Sequence, residues 1–386
     1  MRGVAVVVAP AAFKGALPAS GVARALGAGI RLAATGVETR LVPVADGGEG
    51  TLDAMVESGG GGRRSHHVAD PLGRTVDAAI GLVPGGTAVV ELAQASGYER
   101  LAPAERDPEA TSTYGTGELI RAALDAGARR IVVGVGGSAT TDGGLGLARA
   151  LGARVLDAGG HELEGRGADL GRVAAVDRSG LDSRLADVTL EVACDVRSPF
   201  FGPEGAARVF GPQKGADPAA VERLDAGLAS LAAVLARETG VDVGAMEGAG
   251  AAGGAAGGMA AILGARLRPG AELVLDAVGL DARLDGARLC VTGEGRLDEQ
   301  SATGKAPAAV AERCRAAGVP CVAVCGELGL LPGLVRRMGL AAAFPIGRGV
   351  RPLEEALAET ETDLAAMGAA LGGLLAALAA PDPAPG

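Results

Sequence analysis

Short apolar runs alternate with longer stretches of helical composition at both ends of the chain. Val4 to Ala9 is a short β-branched run suited to a strand covered on both faces, and Val37 to Val42 predicts another strand. Ser20 to Leu32 and Gly50 to Glu57 have helical composition, so the first segment predicts two βα units. The last third repeats the pattern. Arg288 to Thr292, Pro320 to Cys325 and Leu340 to Pro345 predict strands, and Pro307 to Ala317 and Leu330 to Met338 predict helices. Five strands separated by helices predict an α/β fold with a doubly wound parallel sheet.

The middle of the chain follows another rule. Val68 to Ala69, Val76 to Leu82 and Thr87 to Leu92 are closely spaced strand candidates joined by turns, with no room for helices, which is an antiparallel pattern. Further on come a strand over Ile131 to Val135, a helix after Gly143, a strand over Thr189 to Cys194 and a helix over Ala219 to Arg237. The pattern predicts a discontinuous domain of residues 1–63 plus 286–386. A second α/β domain with a mixed sheet, residues 64–285, is inserted into it. A cleft between two such domains is a common place for a small-molecule site, and the site is expected there.

Composition removes several function classes. The net charge is −10, and two Tyr, five Phe and no Trp leave neither a basic face nor a stacking platform for nucleic acid. An anionic ligand must therefore be held by local donors. The five Cys show no Cys-x-x-Cys unit, and Cys321 and Cys325 lie within an apolar run, so buried free thiols are expected and no metal or disulfide framework. The N-terminus lacks the basic, apolar and small-residue order of a signal peptide. Leu364 to Ala380 just reaches the shortest spanning length of about 17 residues, but its Ala, Leu and Gly suit a close-packed terminal helix better. These features predict a cytoplasmic protein with no membrane partner, and they are compatible with a homodimer.

Four glycine-rich segments carry candidate chemistry. Val44-Ala45-Asp46-Gly47-Gly48-Glu49-Gly50 follows the second strand. Its glycines let backbone approach a ligand and its carboxylates could bind substrate or metal; a tight turn capped by Asp46 is the plainer alternative. Gly134 to Gly144 follows a strand and opens a helix. Its backbone N–H groups and the hydroxyls of Ser138, Thr140 and Thr141 would cradle an anion, with Asp142 suited to that place only if it holds Mg²⁺. Gly293 to Asp298, followed by Ser301, Thr303, Gly304 and Lys305, adds Arg296 for a carboxylate and Lys305 for a phosphate, unless it is a solvated charged loop. Gly248 to Gly253 matches G-x-G-x-x-G, but no convincing strand precedes it. Ala193-Cys194-Asp195-Val196 places a carboxylate at a strand end, and Phe210 to Gly215 is a turn carrying Lys214. There is no Walker loop and no protein-kinase motif set.

Together the segments VPVADGGEGT, ELAQASG, STYGTGEL, GGSATTDGG, ACDV, FGPQKGA, GAGAAGG and VTGEGRLDEQSATGKAP resemble the bacterial glycerate kinase family of glycolate and sugar-acid breakdown. The resemblance runs over nearly the whole chain. It implies a flavodoxin-like domain built from both chain ends, an inserted α/β domain, ATP and Mg²⁺ as cofactors, and D-glycerate as the small-molecule acceptor that becomes a phosphoglycerate. One departure stands out. Where the family has Pro-Asp-Ser-Phe-Lys after its first strand, this chain has Pro10-Ala11-Ala12-Phe13-Lys14, so a carboxylate and a hydroxyl are missing.

Phosphoryl transfer requires an anion cradle, a metal site, a base and a cationic clamp. On that reading Gly136, Gly137, Ser138, Thr140 and Thr141 bind the nucleotide. Asp46, Gly47, Gly48 and Arg296 bind the acceptor, and Asp46, Asp142 and Asp195 are the metal candidates. Asp195, Asp298, Lys14 and Lys305 are the catalytic candidates. The competing readings are an NAD-dependent oxidoreductase using Gly248 to Gly253, and an anion-binding homologue weakened at Ala11 and Ala12.

Overall fold

The computed structural model describes residues 4–299, 301, 302, 305–329 and 332–379. Its strands are β1 Ala5–Pro10, β2 Glu38–Leu41, β3 Gly62–Ala69, β4 Thr75–Val83, β5 Thr87–Glu91, β6 Arg130–Gly134, β7 Arg154–Leu156, β8 Ala175–Asp177, β9 Thr189–Ala193, β10 Arg266–Arg268, β11 Ala287–Leu297, β12 Cys321–Leu328 and β13 Ala342–Pro345. The described residues gather into two compact units. One takes the chain up to Ala45, Asp53–Gly59 and the residues from Ala271 on; the other takes Asp46–Leu52 and Gly60–Gly270.

The unit built from the chain ends holds a five-stranded sheet in the order β13-β12-β11-β1-β2, with every neighbour pair parallel. Read from β2, the strands run second, first, third, fourth and fifth in the chain order of this unit. That is the flavodoxin-like doubly wound order, whose switch point lies between the first and third strands, here β1 and β11. All residues of β1 are buried, as expected of a strand covered on both faces. Val6 and Val8 share one core with Val22, Leu26 and Ile30 of the Ala19–Ala33 helix and Leu364 and Leu371 of the Thr360–Ala379 helix. Those two helices touch backbone to backbone. A methyl on Gly29 would fall 2.0 Å from the Ala365 carbonyl oxygen, and one on Gly368 would fall 2.3 Å from that of Leu26. The terminal helix is long and apolar enough over Thr360–Leu378 to cross a membrane, but here one side of it lies against the Ala19–Ala33 helix.

The inserted unit has a six-stranded sheet in the order β10-β9-β6-β5-β4-β3. β10, β9, β6 and β5 are mutually parallel, while β4 and β3 continue the sheet antiparallel, so the sheet is mixed. Ile80, Val90, Ile131, Val133 and Val192 pack with Leu119, Ile120 and Leu124 of the Tyr114–Asp125 helix, which the hydrophobic pattern alone did not single out. A second core forms around Leu224, Leu228, Leu231 and Leu235 of the Pro218–Thr239 helix. That helix has strong local signals. The Asp217 side chain accepts from Ala220 N, Pro218 occupies the first turn, and Gly240 ends it at φ 75°.

The unit boundaries differ from the sequence expectation at three places: residues 60–63 lead into β3 of the inserted sheet, and the other two each have a local reason. Residues 46–52 belong with the inserted unit because Gly47 packs on Ala193 and Leu52 N donates to Glu91 Oε1 at 2.8 Å. Residues 271–285 belong with the other unit, where Arg313 of the Ala306–Ala316 helix bonds Glu272, Asp276 and Asp281. No local pattern announces either set of long-range contacts.

Candidate active site

In the inserted unit the C-terminal ends of β5, β6, β9 and β10 share one edge, where open α/β sheets bind ligands. The Asp46–Gly50 turn sits on that edge. Gly47 has φ +89°, and a methyl there would lie 2.9 Å from Ala193 Cβ, so only glycine suits the position. A methyl on Gly134 would lie 2.7 Å from the Gly47 carbonyl oxygen, and one on Gly136 would lie 2.8 Å from Gly48 Cα. Asp46 Oδ1 accepts weakly from Gly48 N at 3.4 Å, and Thr51 Oγ1 closes the turn on the Gly48 carbonyl at 2.7 Å. Across the edge, Asp195 Oδ1 accepts from Gly270 N at 2.6 Å. A methyl on Gly270 would fall 2.2 Å from the Asp46 carbonyl oxygen and 3.0 Å from Asp195 Oδ2. Asp46, Gly47, Gly48, Gly136 and Asp195 are thus brought together by glycine contacts.

The Gly134–Gly144 segment divides into an outer and an inner half. Gly136 and Gly137 reach the surface, whereas Ser138 is 8% exposed and Thr140, Thr141 and Asp142 are 0% exposed. Asp142 accepts from Thr113 N and Oγ1, each at 2.7 Å, and from Gly144 N and Gly146 N at 3.0 and 3.2 Å. Burial pushes its carboxyl up, and the four donors work against that shift. Asp142, a metal candidate from the sequence, thus has both carboxylate oxygens hydrogen-bonded inside the protein, where it anchors the turn. The helix that follows is only Leu145–Ala150, and the negative charge at its start is Asp142 itself. Thr140 and Thr141 lie in the same buried layer, and their hydroxyls have no hydrogen-bond partner among the described residues. The accessible part of the cradle is Gly136 and Gly137.

The other unit presents its own strand ends at the β1/β11 switch point. Ala11 N donates to the Gly293 carbonyl at 2.8 Å, and a methyl on Gly295 would lie 3.5 Å from Lys14 N, so the Pro10–Lys14 and Gly293–Arg296 segments run side by side. Phe13 is buried and Lys14 exposed. Gly293 to Leu297, expected as a loop, continues β11 in register with β12, placing Arg296 opposite Glu327. The glycines permit this, because a methyl on Gly293 would meet the Val324 carbonyl at 2.1 Å. The Arg296 side chain is 64% exposed, with Nε 3.5 Å from Asp298 Oδ2 and 3.6 Å from Glu327 Oε1. Asp298 also exchanges hydrogen bonds with Ser301, its N donating to Ser301 Oγ at 3.0 Å. Lys305 is half-buried at the start of the Ala306–Ala316 helix, and Thr303 and Gly304 lie outside the described residues.

A sequence model described as the glycerate kinase family matches residues 6–376. The chain belongs to the glycerate kinase family. It is 42% identical over 352 residues to glycerate 2-kinase of Escherichia coli (strain K12), covering 91% of this chain and 92% of that protein. It is 43% identical to glycerate kinase of Halalkalibacterium halodurans, covering 92% of this chain and 94% of the relative. The crystal structure of a provisional glycerate kinase 2 from Salmonella typhimurium LT2 superposes with a TM-score of 0.89 at 43% identity, covering 97% of this chain and 99% of that one.

Within this member of the glycerate kinase family, two residues support the site without having stood out in the sequence. Glu91, 7% exposed at the end of β5, holds Leu52 N through Oε1 and receives Gln94 Nε2 at 3.3 Å, which anchors the Asp46–Thr51 turn from below. Lys214, 3% exposed, donates from Nζ to the Thr140 carbonyl at 2.6 Å. A lone lysine in a turn and a carboxylate closing an apolar strand are weak signals, and only burial gives them meaning. The Gly248–Gly253 run also finds its place here. It is preceded by turns, not a strand, and a methyl on Gly253 would lie 2.0 Å from the Thr140 carbonyl oxygen, so its glycines pack the back of the cradle and lack the setting of a dinucleotide fingerprint.

Gly270→Ala tests the contact that sets Asp46 against Asp195. The methyl would press on backbone, so the Asp46 turn must move. Misplacement near 1 Å can reduce turnover about 10² -fold, and overpacking costs about 1–3 kcal/mol. Turnover of Gly270→Ala is expected to fall about 10- to 100-fold in steady-state assays, while Gly62→Ala, whose methyl would meet nothing within 4 Å, serves as the neutral comparison.

Proposed function

We propose that the protein transfers the γ-phosphate of ATP to a hydroxyl of D-glycerate in the presence of Mg²⁺. The observation that carries this reading is the convergence of the Asp46–Gly48 turn, the exposed Gly136–Gly137 backbone and the Asp195 carboxylate at one set of strand ends. The donor set fits the expected ligands. Glycines without side chains leave room for phosphate oxygens beside backbone N–H groups, and two aspartates on neighbouring loops suit a hard cation that prefers oxygen. Asp46 and Asp195 would hold Mg²⁺, which neutralises phosphate charge when bound. Gly136 and Gly137, backed by Ser138, offer the nucleotide backbone donors.

The β1/β11 switch point carries the cationic candidates. Arg296 presents a fork suited to the acceptor carboxylate, and Lys14 and Lys305 offer point charges to the phosphoryl group. Asp195 or Asp298 takes the hydroxyl proton as that oxygen attacks. Ala11 and Ala12 remove two polar side chains beside Lys14, so more of the orienting work in this region falls to Arg296.

The relative named glycerate 2-kinase supports the 2-hydroxyl as acceptor. The test is ADP release on mixing the protein with ATP, Mg²⁺ and D-glycerate, coupled to enolase with no mutase present. Enolase-dependent product formation is the expected result. ADP release without enolase turnover moves the phosphate to the 3-hydroxyl. No ADP release above the level without glycerate sinks the proposal.

A further inference from the structure

Three cysteines far apart in sequence meet in the core of the unit built from the chain ends. Cys290 lies on β11, Cys321 opens the neighbouring β12 opposite it, and Cys314 comes from the Ala306–Ala316 helix. Their sulfurs all lie within 4.8 Å of one another. Cys290, Cys321 and Cys314 are 0, 2 and 0% exposed respectively, and all three are free thiols. The expectation that the cysteines form no metal framework was drawn from spacing, and spacing could not show two strands and a helix folding their thiols onto one point.

We propose that Cys290, Cys314 and Cys321 form a binding site for a trivalent thiophilic ion of the arsenic(III) class. The argument is one of charge. Three thiolates around a monovalent ion leave a net charge of −2, and around a divalent ion −1, in a place almost without solvent. Burying unpaired charge there is strongly unfavourable. A trivalent ion with three thiolates is neutral. Structural zinc favours four protein ligands, and among the described residues this cluster supplies three. Thiolates select soft ions over magnesium or calcium, so the site does not compete with the candidate active site for its metal.

The binding step balances without an oxidant. Neutral arsenous acid, As(OH)₃, meets three neutral thiols. Three As–O bonds break, three As–S bonds form, and each thiol proton leaves with a hydroxyl as water. Arsenic remains trivalent and no electrons move. The complex ties β11, β12 and the helix together from inside. Along β11, Cys290 is six residues from Arg296, about 20 Å at strand rise. Occupancy therefore acts on the stability of the fold and leaves the reacting groups untouched.

Reduced full-length protein with one equivalent of sodium arsenite is the test, read by arsenic-edge X-ray absorption, native mass spectrometry and thermal unfolding. The expected results are three sulfur neighbours, a mass gain of one arsenic less three hydrogens, and a raised unfolding midpoint. Cys290→Ala, Cys314→Ala and Cys321→Ala should each release arsenic at least tenfold faster, whereas Cys194→Ala and Cys325→Ala should match the parent. A shell of two sulfurs, full retention in any of the three variants, or displacement of arsenic by equimolar Zn²⁺ or Cu⁺ overturns the proposal. The absorption spectrum of the parent protein decides even if an alanine variant fails to fold.

Discussion

Asp195→Asn is expected to lower turnover by at least about 100-fold while leaving the protein folded, within the range found for a positioned acid, base or charge. The geometry explains both halves of that expectation. Asp195 Oδ1 accepts from Gly270 N at 2.6 Å, and an asparagine oxygen can accept the same bond, so the β9 end keeps its shape. What disappears is the negative charge beside the Asp46 turn. If Asp195 holds Mg²⁺, the apparent metal requirement of the variant rises and added Mg²⁺ restores part of the rate. If it is the base, added metal restores nothing and the acidic limb of the pH–rate profile is lost. Asp298→Asn is the companion measurement, because Asp298 is tied to Ser301 and lies near Arg296. Turnover close to the parent in both variants would remove the proposed carboxylate chemistry.

Much of the architecture was legible because it rests on local patterning. Five strand-length runs separated by helices announced the parallel sheet, and three short runs without helices between them announced the antiparallel edge of the other sheet. The glycine turns at Asp46 and Gly136 were legible for a related reason, since a strand followed by several glycines leaves backbone open at the strand end. Hidden from the sequence was everything decided by which atoms face inward. Asp142 was a metal candidate because it sits among hydroxyls and glycines, and its hydrogen bonds to Thr113, Gly144 and Gly146 show only in the structure. Gly293 to Leu297 looked like a loop because two glycines flank a glutamate, yet β12 supplies a ladder that carries the strand to Leu297. Cys290, Cys314 and Cys321 gave no signal at all, because their meeting depends on the register of two strands and the rotation of one helix.

Lys214→Met is expected to flatten a pH dependence of stability that the parent protein carries above neutral pH. Lys214 Nζ is buried beside the Thr140 carbonyl, and burial lowers its pKa from the usual lysine value to about 7, with Asp142 pulling weakly the other way. In the unfolded chain the amine keeps its ordinary value of about 10.4. Between those limits the unfolded state binds a proton that the folded state lacks, so stability rises as pH rises from about 7 toward 10. The slope from this one group is at most about 1.4 kcal/mol per pH unit. Below pH 7 the folded state must carry a buried ammonium, and its cost is then fully present. Methionine keeps the length of the side chain and removes the charge, but leaves the Thr140 carbonyl without its donor, a loss of about 1–3 kcal/mol. The variant should therefore compare best with the parent near pH 6 and fall behind progressively toward pH 9. Chemical denaturation of both proteins at pH 6, 7, 8 and 9 reads the difference directly, and titrating groups that do not interact with Lys214, as Asp142 does, cancel in it. Parallel curves would mean that Lys214 is ionised in the folded protein across the whole range, and that the back of the cradle is held by an ion pair with Asp142 instead of a neutral amine.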